Sequence, residues 1–222
     1  MAELTSWSYS KYSCYKNCPL QFKCRYIDKL PEPKAPALER GIAIHQECED
    51  FLNDKGDITP NMEKLGKEIT GLRDRGYIAE EAWGLTEDWA EIDFFSKEAW
   101  CRMKIDVHGS DKKRELTIID FKTGKIRGGY LSQLELYSVA AFSIFNNIDV
   151  VHAELWYLDH GKIIDEKSDP KSVFHIKDYE TLVKRWNRRI KPMMNDTEFR
   201  PTPNQFCNWC NFSKKKGGPC HL

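Results

Sequence analysis

Two acidic residues and a lysine lie in sequence contexts typical of β-strands. Asp120 and Lys122 occur in IIDFKTG, and Asp106 occurs in the preceding segment MKIDVHG. Side chains alternate between the faces of a strand, so Asp120 and Lys122 point to the same side. Two carboxylates of this kind could hold Mg²⁺ or Mn²⁺ if the register brings them to one face, and Lys122 could then orient a water molecule or neutralise a phosphate. A surface ion pair is the alternative interpretation of the D-x-K pattern.

Two further segments offer polar side chains at helical spacing. Gln133 and Tyr137 are four residues apart in YLSQLELYSVAAFSIF and therefore share a helix face, where they could support a metal or a phosphate. His45 could bind a cation through a neutral ring nitrogen, and Glu49 lies one turn later. A lone histidine beside an apolar seam is more often a core residue, so this assignment depends on the neighbours of His45.

The elements that must position these residues indicate a mixed α/β class. Residues 37–52 predict an amphipathic helix, and the segments WCRMKIDVHG and ELTIIDFKTG predict two strands joined by a polar turn. The helical segment with Gln133, two further strands and a basic helix follow, so the order is not a simple βα repeat. One face of the helix at 37–52 is predicted to be buried through residues at three- and four-residue spacing: Leu38, Ile44, Cys48, Phe51 and Leu52.

The ordered set SYSKYSCYKNCPLQFKCRYI, RGIAIH, MKIDVHG, IIDFKTGK and SQLELY resembles the RecB-type branch of the PD-(D/E)XK nuclease superfamily. The resemblance spans nearly the whole chain and implies a restriction-endonuclease-like core, in which a central mixed β-sheet is flanked by helices. It also implies a metal-dependent DNA nuclease, and specifically an exonuclease on single strands or duplex ends. The implied metal ligands are His45, Asp106, Asp120 and the Phe121 carbonyl, with Lys122 catalytic and Gln133 and Tyr137 in support. Ile105 stands where many members of the superfamily have the proline of the motif.

The cysteines suggest a second metal site. Cys207 and Cys210 form a C-x-x-C pair and Cys220 follows, which leaves the site one ligand short. Nucleases that resemble this chain, the AddB nuclease domains and the CRISPR-associated iron-sulfur nucleases, imply Cys18 as the fourth ligand of a 4Fe-4S cluster. The stretch between Cys210 and Cys220 is longer than is usual in those families. His221 therefore remains a rival ligand and zinc a rival metal, with Cys14 and Cys24 as weaker substitutes for Cys18.

Positive charge is local, because 34 basic and 34 acidic residues cancel over the 222 residues. The segment KRWNRRIK and the loop KKK are expected to contact DNA, with Trp186 and Trp209 as stacking surfaces. A solvated helix face with Trp186 in the core is the alternative. The predicted nucleic-acid-binding side chains are Lys184, Arg185, Arg188 and Arg189.

The length suits one PD-(D/E)XK domain over 1–222, in which 1–30 and 195–222 form a cysteine-cluster module and 37–190 the catalytic core. No secretion signal or membrane-spanning stretch is evident, so a cytoplasmic location in a bacterial, archaeal or phage-infected cell is expected. Because the chain contains no helicase motif, partners could include a helicase, a recombinase or a CRISPR adaptation protein. The alternative function is a non-catalytic DNA-binding or assembly subunit, and a zinc-binding regulatory module is a third candidate.

Overall fold

The computed structural model describes residues 4–33, 35–126 and 128–221. The chain divides into two compact units. The first unit combines Met1–Lys34 with Lys184–Leu222, and the second unit is Ala35–Val183. All the acidic, histidine and lysine candidates for the active site belong to the second unit. The four candidate cluster cysteines belong to the first unit.

Six α-helices and seven strands make up the regular structure of the described residues. The helices are α1 (Tyr9–Asn17), α2 (Pro19–Phe22), α3 (Pro36–Leu52), α4 (Gly66–Asp74), α5 (Leu131–Ile144) and α6 (Tyr179–Asn195), and a π-helical turn (Lys23–Ile27) continues α2. The strands are β1 (Ile78–Leu85), β2 (Glu91–Ile92), β3 (Cys101–Gly109), β4 (Glu115–Lys122), β5 (Val150–Tyr157), β6 (Lys162–Ile164) and β7 (Val173–His175).

The seven strands form one mixed sheet in the second unit. Its order is β2-β1-β3-β4-β5-β6, and β7 also pairs with β5. β4 and β5 run parallel, which requires a crossover connection, and α5 supplies it. The other strand pairs among the described residues are antiparallel. The predicted mixed α/β class with a central mixed sheet and flanking helices is confirmed.

One face of α3 packs into the hydrophobic core of the second unit. Its buried residues begin at Ile44 and cluster with strand residues that include Val107, Ile119 and Phe121. The prediction that Leu38 shares this buried face was wrong, because Leu38 is 60% exposed. The helix begins at Pro36, as is favourable for proline, and its first turn lies outside the core cluster.

Helix α5 is covered on almost every side. Nine consecutive residues, Leu134 to Phe142, are buried, and the helix contacts β4 and β5. A helix that is apolar all round is one that other elements enclose. Its polar residues near the N-terminal end, Gln133 and Tyr137, are therefore held in fixed positions against β4.

The first unit has an aromatic core of its own. Ser8 caps α1 by accepting the Lys11 backbone N–H, and Pro19 starts α2 at the predicted break. Trp7 and Trp186 are both buried, with stacked rings whose centroids are 5.7 Å apart. Of the two alternatives for Trp186, the structure therefore shows the core position, and this side chain offers no stacking surface to DNA. No helix of the described residues is both long and apolar enough to cross a membrane.

Candidate active site

The two predicted acids meet where β3 and β4 separate. The strands pair through Gly109↔Thr117, His108↔Ile118 and Val107↔Ile119, and the next positions along the two strands are Asp106 and Asp120. Ladder pairing stops there, and the Asp106 carboxylate accepts the Phe121 backbone N–H at 2.7 Å. The register that the sequence left open therefore brings both carboxylates to the same level of the sheet.

Asp120 is the centre of a hydrogen-bonded group that joins β4 to α5. Lys122 Nζ contacts Asp120 Oδ2 and donates to Gln133 Oε1 at 3.1 Å. Gln133 Nε2 lies 3.0 Å from Asp120 Oδ1 and 2.7 Å from the Tyr137 hydroxyl, which is itself 3.4 Å from Asp120 Oδ1. The structure thus brings together four predicted side chains, and the D-x-K pair is not an isolated surface ion pair.

His45 lies beside Asp106 and a residue that the sequence analysis missed. The ligand atoms of His45, Glu80 and Asp106 all lie within 4.8 Å of one another. His45 Nδ1 is 3.3 Å from Asp106 Oδ2. Glu80 lies opposite Asp106 in the β1–β3 register, between the pairs Ala79↔Val107 and Glu81↔Ile105, and its φ of 51° is rare for a residue with a side chain. The only sequence signal was an acidic pair, Glu80 and Glu81, within the segment YIAEEAWGL.

Glu49, which shares the His45 face of α3, is not part of this group. Its carboxylate accepts a hydrogen bond from Gln46 on the same helix at 3.0 Å. Phe121 contributes its backbone N–H to Asp106, and its ring lies in the core. The role of the Phe121 carbonyl as a metal ligand stays a prediction.

The site carries more negative charge than its own cations offset. Burial and the nearby Asp106 raise the pKa of Asp120, although Lys122 opposes this. Burial and Asp106 also raise the pKa of Glu80. Burial lowers the pKa of His45, but its contact with Asp106 and the neighbouring negative charge outweigh this, and the net pKa is raised. The three carboxylates, together with an imidazole that binds a metal in its neutral form, are a set of ligands that fits a hard divalent cation such as Mg²⁺ or Mn²⁺.

The end of β4 is held by a second group of polar contacts. Asp159 Oδ2 accepts the Gly124 backbone N–H at 2.5 Å, and Arg40 on α3 binds both carboxylate oxygens at 2.6 and 2.9 Å. His160 Nε2 lies 2.9 Å from the Gly124 carbonyl. Asp159 therefore joins the helix that carries His45 to the turn that directly follows Lys122.

Removing this connection should weaken catalysis without unfolding the protein. We expect Asp159→Ala to lower the activity of this site by roughly ten- to a hundredfold, because small displacements of a catalytic group cost that much. Hydrogen bonding from Arg40 lowers the pKa of Asp159 to about 2. The stabilisation by this carboxylate is therefore complete above its unfolded pKa of about 4 and is lost only as the pH falls towards 2. The rate ratio of variant to parent should be constant from pH 6 to 9.

Asp149→Ala is the matched control, because Asp149 also forms a two-pronged pair with an exposed arginine, Arg114. Single-turnover cleavage, DNA affinity and melting temperature would be measured for both variants. Equal activity losses in both variants, or parental activity in Asp159→Ala, would contradict the positioning role.

The four predicted cluster cysteines surround one cavity in the first unit. Cys18, Cys207, Cys210 and Cys220 all line it, together with Pro201, Phe212 and neighbouring residues. Backbone N–H groups lie near two of the sulfurs, with Thr202 N 3.5 Å from Cys18 Sγ and Asn204 N 3.3 Å from Cys207 Sγ. All four are free thiols. Cys14 and Cys24 are buried elsewhere in this unit and do not line the cavity.

The long stretch between Cys210 and Cys220 closes on itself. Ser213 pairs with Cys220, the Cys220 N–H donates to the Phe212 carbonyl at 3.0 Å, and the loop between them turns through Gly217 at a φ of 76°. Gly218 passes so close to Phe212 that a Cβ would lie 2.3 Å from its backbone carbonyl carbon. The extra residues therefore form a closed loop that returns Cys220 to the cavity.

The predicted DNA-binding side chains of α6 differ in exposure. Lys184 and Arg188 are exposed, whereas Arg185 and Arg189 are half-buried. The Arg189 guanidinium lies 5.0 Å from the centre of the Trp186 ring. Arg189 therefore also covers the aromatic core of the first unit.

A family profile and solved structures resemble this chain. The sequence profile described as the PD-(D/E)XK nuclease superfamily matches residues 6–106 and 101–214. No curated protein matches significantly. Among solved structures, an exonuclease candidate from Eubacterium rectale is similar, with 15% identity, a TM-score of 0.52, and coverage of 93% of this chain and 87% of that chain. The crystal structure of SSO0001 matches with 17% identity, a TM-score of 0.44, and coverage of 96% and 85%.

Proposed function

Because the chain belongs to the PD-(D/E)XK nuclease superfamily, we propose that it is a DNA nuclease that hydrolyses phosphodiester bonds with Mg²⁺ or Mn²⁺. One observation carries the proposal: His45, Glu80 and Asp106 converge where β3 and β4 separate, next to the Asp120–Lys122 pair. The acidic and basic groups needed for metal-assisted hydrolysis are thus concentrated at one level of the sheet.

His45, Glu80, Asp106 and Asp120 are the side chains that would hold the cation. When bound, Mg²⁺ or Mn²⁺ supplies charge that stabilises the phosphate and makes hydroxide available near neutral pH. Asp106 is oriented for this by the Phe121 N–H, and Asp120 by Gln133 and Tyr137. These contacts keep the carboxylates in place before substrate binds, which limits the reorganisation needed during the reaction.

Lys122 acts on the substrate side of this group. Its side chain is about one-third exposed while Asp120 is buried, so the ammonium group can reach both the carboxylate and the solvent. A lysine in this position attracts the anionic phosphate, neutralises charge that develops on its oxygens, and donates a hydrogen bond to the attacking water. Gln133 supports it by accepting a hydrogen bond from Nζ.

The finer parts of the proposal are an exonuclease mode on single strands or duplex ends and a role in recombination, repair or DNA processing. A helicase, a recombinase or a CRISPR adaptation protein would provide the unwound end. The structure with a similar fold that is described as an exonuclease candidate supports this mode. We also propose a 4Fe-4S cluster in the cysteine cavity, supported by the four cysteines that line it.

The test compares cleavage of end-labelled linear DNA and covalently closed single-stranded circles, with Mn²⁺ titrated from zero. We expect the parent to degrade linear DNA and leave circles intact. Asp106→Asn should reduce cleavage by roughly 10²–10³-fold, because it removes a charged ligand at the centre of the site. Glu80→Gln should instead raise the Mn²⁺ concentration needed for half-maximal cleavage.

Glu91→Gln, an exposed acid on edge strand β2, is the matched control and should behave like the parent. Cleavage of closed circles would overturn the exonuclease mode alone. DNA binding with no metal-dependent cleavage by the parent would overturn the nuclease proposal and favour a binding or assembly subunit.

A further inference from the structure

The last stretch of the first unit carries several basic residues. From residue 199 to residue 221 the sequence contains no Asp or Glu, although the whole chain is neutral. The three lysines Lys214–Lys216 are exposed in this stretch, whereas Arg200 is paired with Glu198. Because the chain as a whole is neutral, a local excess of positive charge favours binding of a polyanion at this stretch over nonspecific electrostatic attraction to the whole protein.

Two exposed aromatic side chains lie in the same stretch. Trp209 is 71% exposed and Phe206 is 46% exposed, which is unusual for aromatic residues of this size. Lys216 Nζ donates to the Trp209 carbonyl at 3.0 Å and to Asn211 Oδ1 at 3.1 Å. The lysine loop is therefore tied to the backbone of Trp209, with the Lys216 ammonium group next to it.

Trp209 lies next to two of the cysteines that line the cavity of the first unit. Trp209 lies in the short helical turn Cys207–Trp209, between the two cavity cysteines Cys207 and Cys210. Cys210 N–H donates to the Cys207 carbonyl at 3.2 Å, which closes the turn. This hydrogen bond and the one from Lys216 fix the backbone at Trp209, while its indole is exposed to solvent.

We infer that Phe206, Trp209 and Lys214–Lys216 form a stacking surface for single-stranded DNA, which we name the Trp209 platform. The inference deepens the proposed nuclease function and rests on it for the identity of the anion. Aromatic faces stack on unpaired bases, whose faces are hidden inside a duplex, while the lysines follow the phosphates. A duplex would engage the lysines and leave the indole without a base to stack on.

The test measures binding of fluorescent dT₁₅ and of a blunt 15-base-pair duplex to the full chain, without added divalent metal, with gels to verify that the DNA stays intact. We expect Trp209→Ala to weaken dT₁₅ binding about five- to a hundredfold, as for loss of one stacked base. Trp209→Phe should restore most of the affinity, and duplex binding should change less than about twofold. Phe95→Ala is the matched control, because Phe95 is 81% exposed in the second unit.

Charge is tested separately by replacing Lys214, Lys215 and Lys216 with Gln together. The slope of log affinity against log salt for dT₁₅ should fall by about 2, because each lysine that neutralises a phosphate of a single strand contributes roughly 0.7 to that slope. Unchanged dT₁₅ binding by Trp209→Ala, or equal losses of affinity for single strand and duplex, would overturn the platform. DNA binding is measured under conditions without cleavage, so the binding result can be interpreted even if the protein shows no nuclease activity. If the Trp209 platform does not bind single-stranded DNA, the cleavage assays still test the active site independently.

Discussion

Lys122→Met is expected to reduce DNA cleavage by roughly 10²–10³-fold while the protein stays folded and still binds DNA. Removal of one charged group that stabilises a transition state typically costs this much. Methionine keeps the length and apolar stem of lysine but cannot form an ion pair with Asp120 or donate to Gln133. The loss should lie in the single-turnover rate at saturating DNA and Mn²⁺, because the metal-ligand candidates stay in place.

Lys122→Arg should recover only part of the activity, since the guanidinium has a different shape from the ammonium group. Lys113→Met is the matched control, because Lys113 is exposed in the turn between β3 and β4. Rates would be measured by quenched flow or gel, together with melting temperature. A Lys122→Met variant that cleaves within a few-fold of the parent would rule out the catalytic role assigned to this lysine.

Cys207→Ser is expected to remove the iron-sulfur cluster proposed for the first unit and to lower the melting temperature by about 10 °C. Structural metal sites contribute several kcal/mol to folding, and each kcal/mol shifts the melting temperature by about 2–4 °C in a chain of this size. The effect should be large because the cavity walls come from both ends of the chain, with Cys18 near the N-terminus and the other ligands after residue 206.

Iron and zinc content and the absorption near 400 nm of anaerobically purified protein would be measured alongside melting. Iron with broad absorption in the parent, absent from Cys207→Ser and from Cys18→Ser, is the expected result. Cys14→Ala is the control, because Cys14 is buried, is not among the residues that line the cavity, and has Arg25 Nη1 3.8 Å from its sulfur. Zinc without iron in the parent would replace the 4Fe-4S proposal, and full metal content in Cys207→Ser would refute the ligand set.

Much of the candidate site was predictable from sequence because its signals are local. The alternation of side chains on β4 puts Asp120 and Lys122 on one side, and the helical spacing of Gln133 and Tyr137 puts both on one face of α5. The order of these motifs along the chain was also enough to predict membership of the PD-(D/E)XK nuclease superfamily, which the sequence profile confirms, whereas the RecB-type branch stays a prediction. Local spacing likewise indicated a metal site at Cys207, Cys210 and Cys220.

Only the tertiary structure decided how separate segments meet. The register of β3 on β4 depends on contacts between strands, and it alone brings Asp106 level with Asp120. Glu80 joins the site because the pairing of β1 with β3 places Glu80 opposite Asp106. The sequence of β1 alone does not specify this pairing. Burial separated Trp186, which fills a core, from Trp209, which faces solvent, although both lie near basic segments. Sequence thus determined which chemical groups this protein carries and on which face of each element they lie, whereas long-range packing decided which of those faces meet.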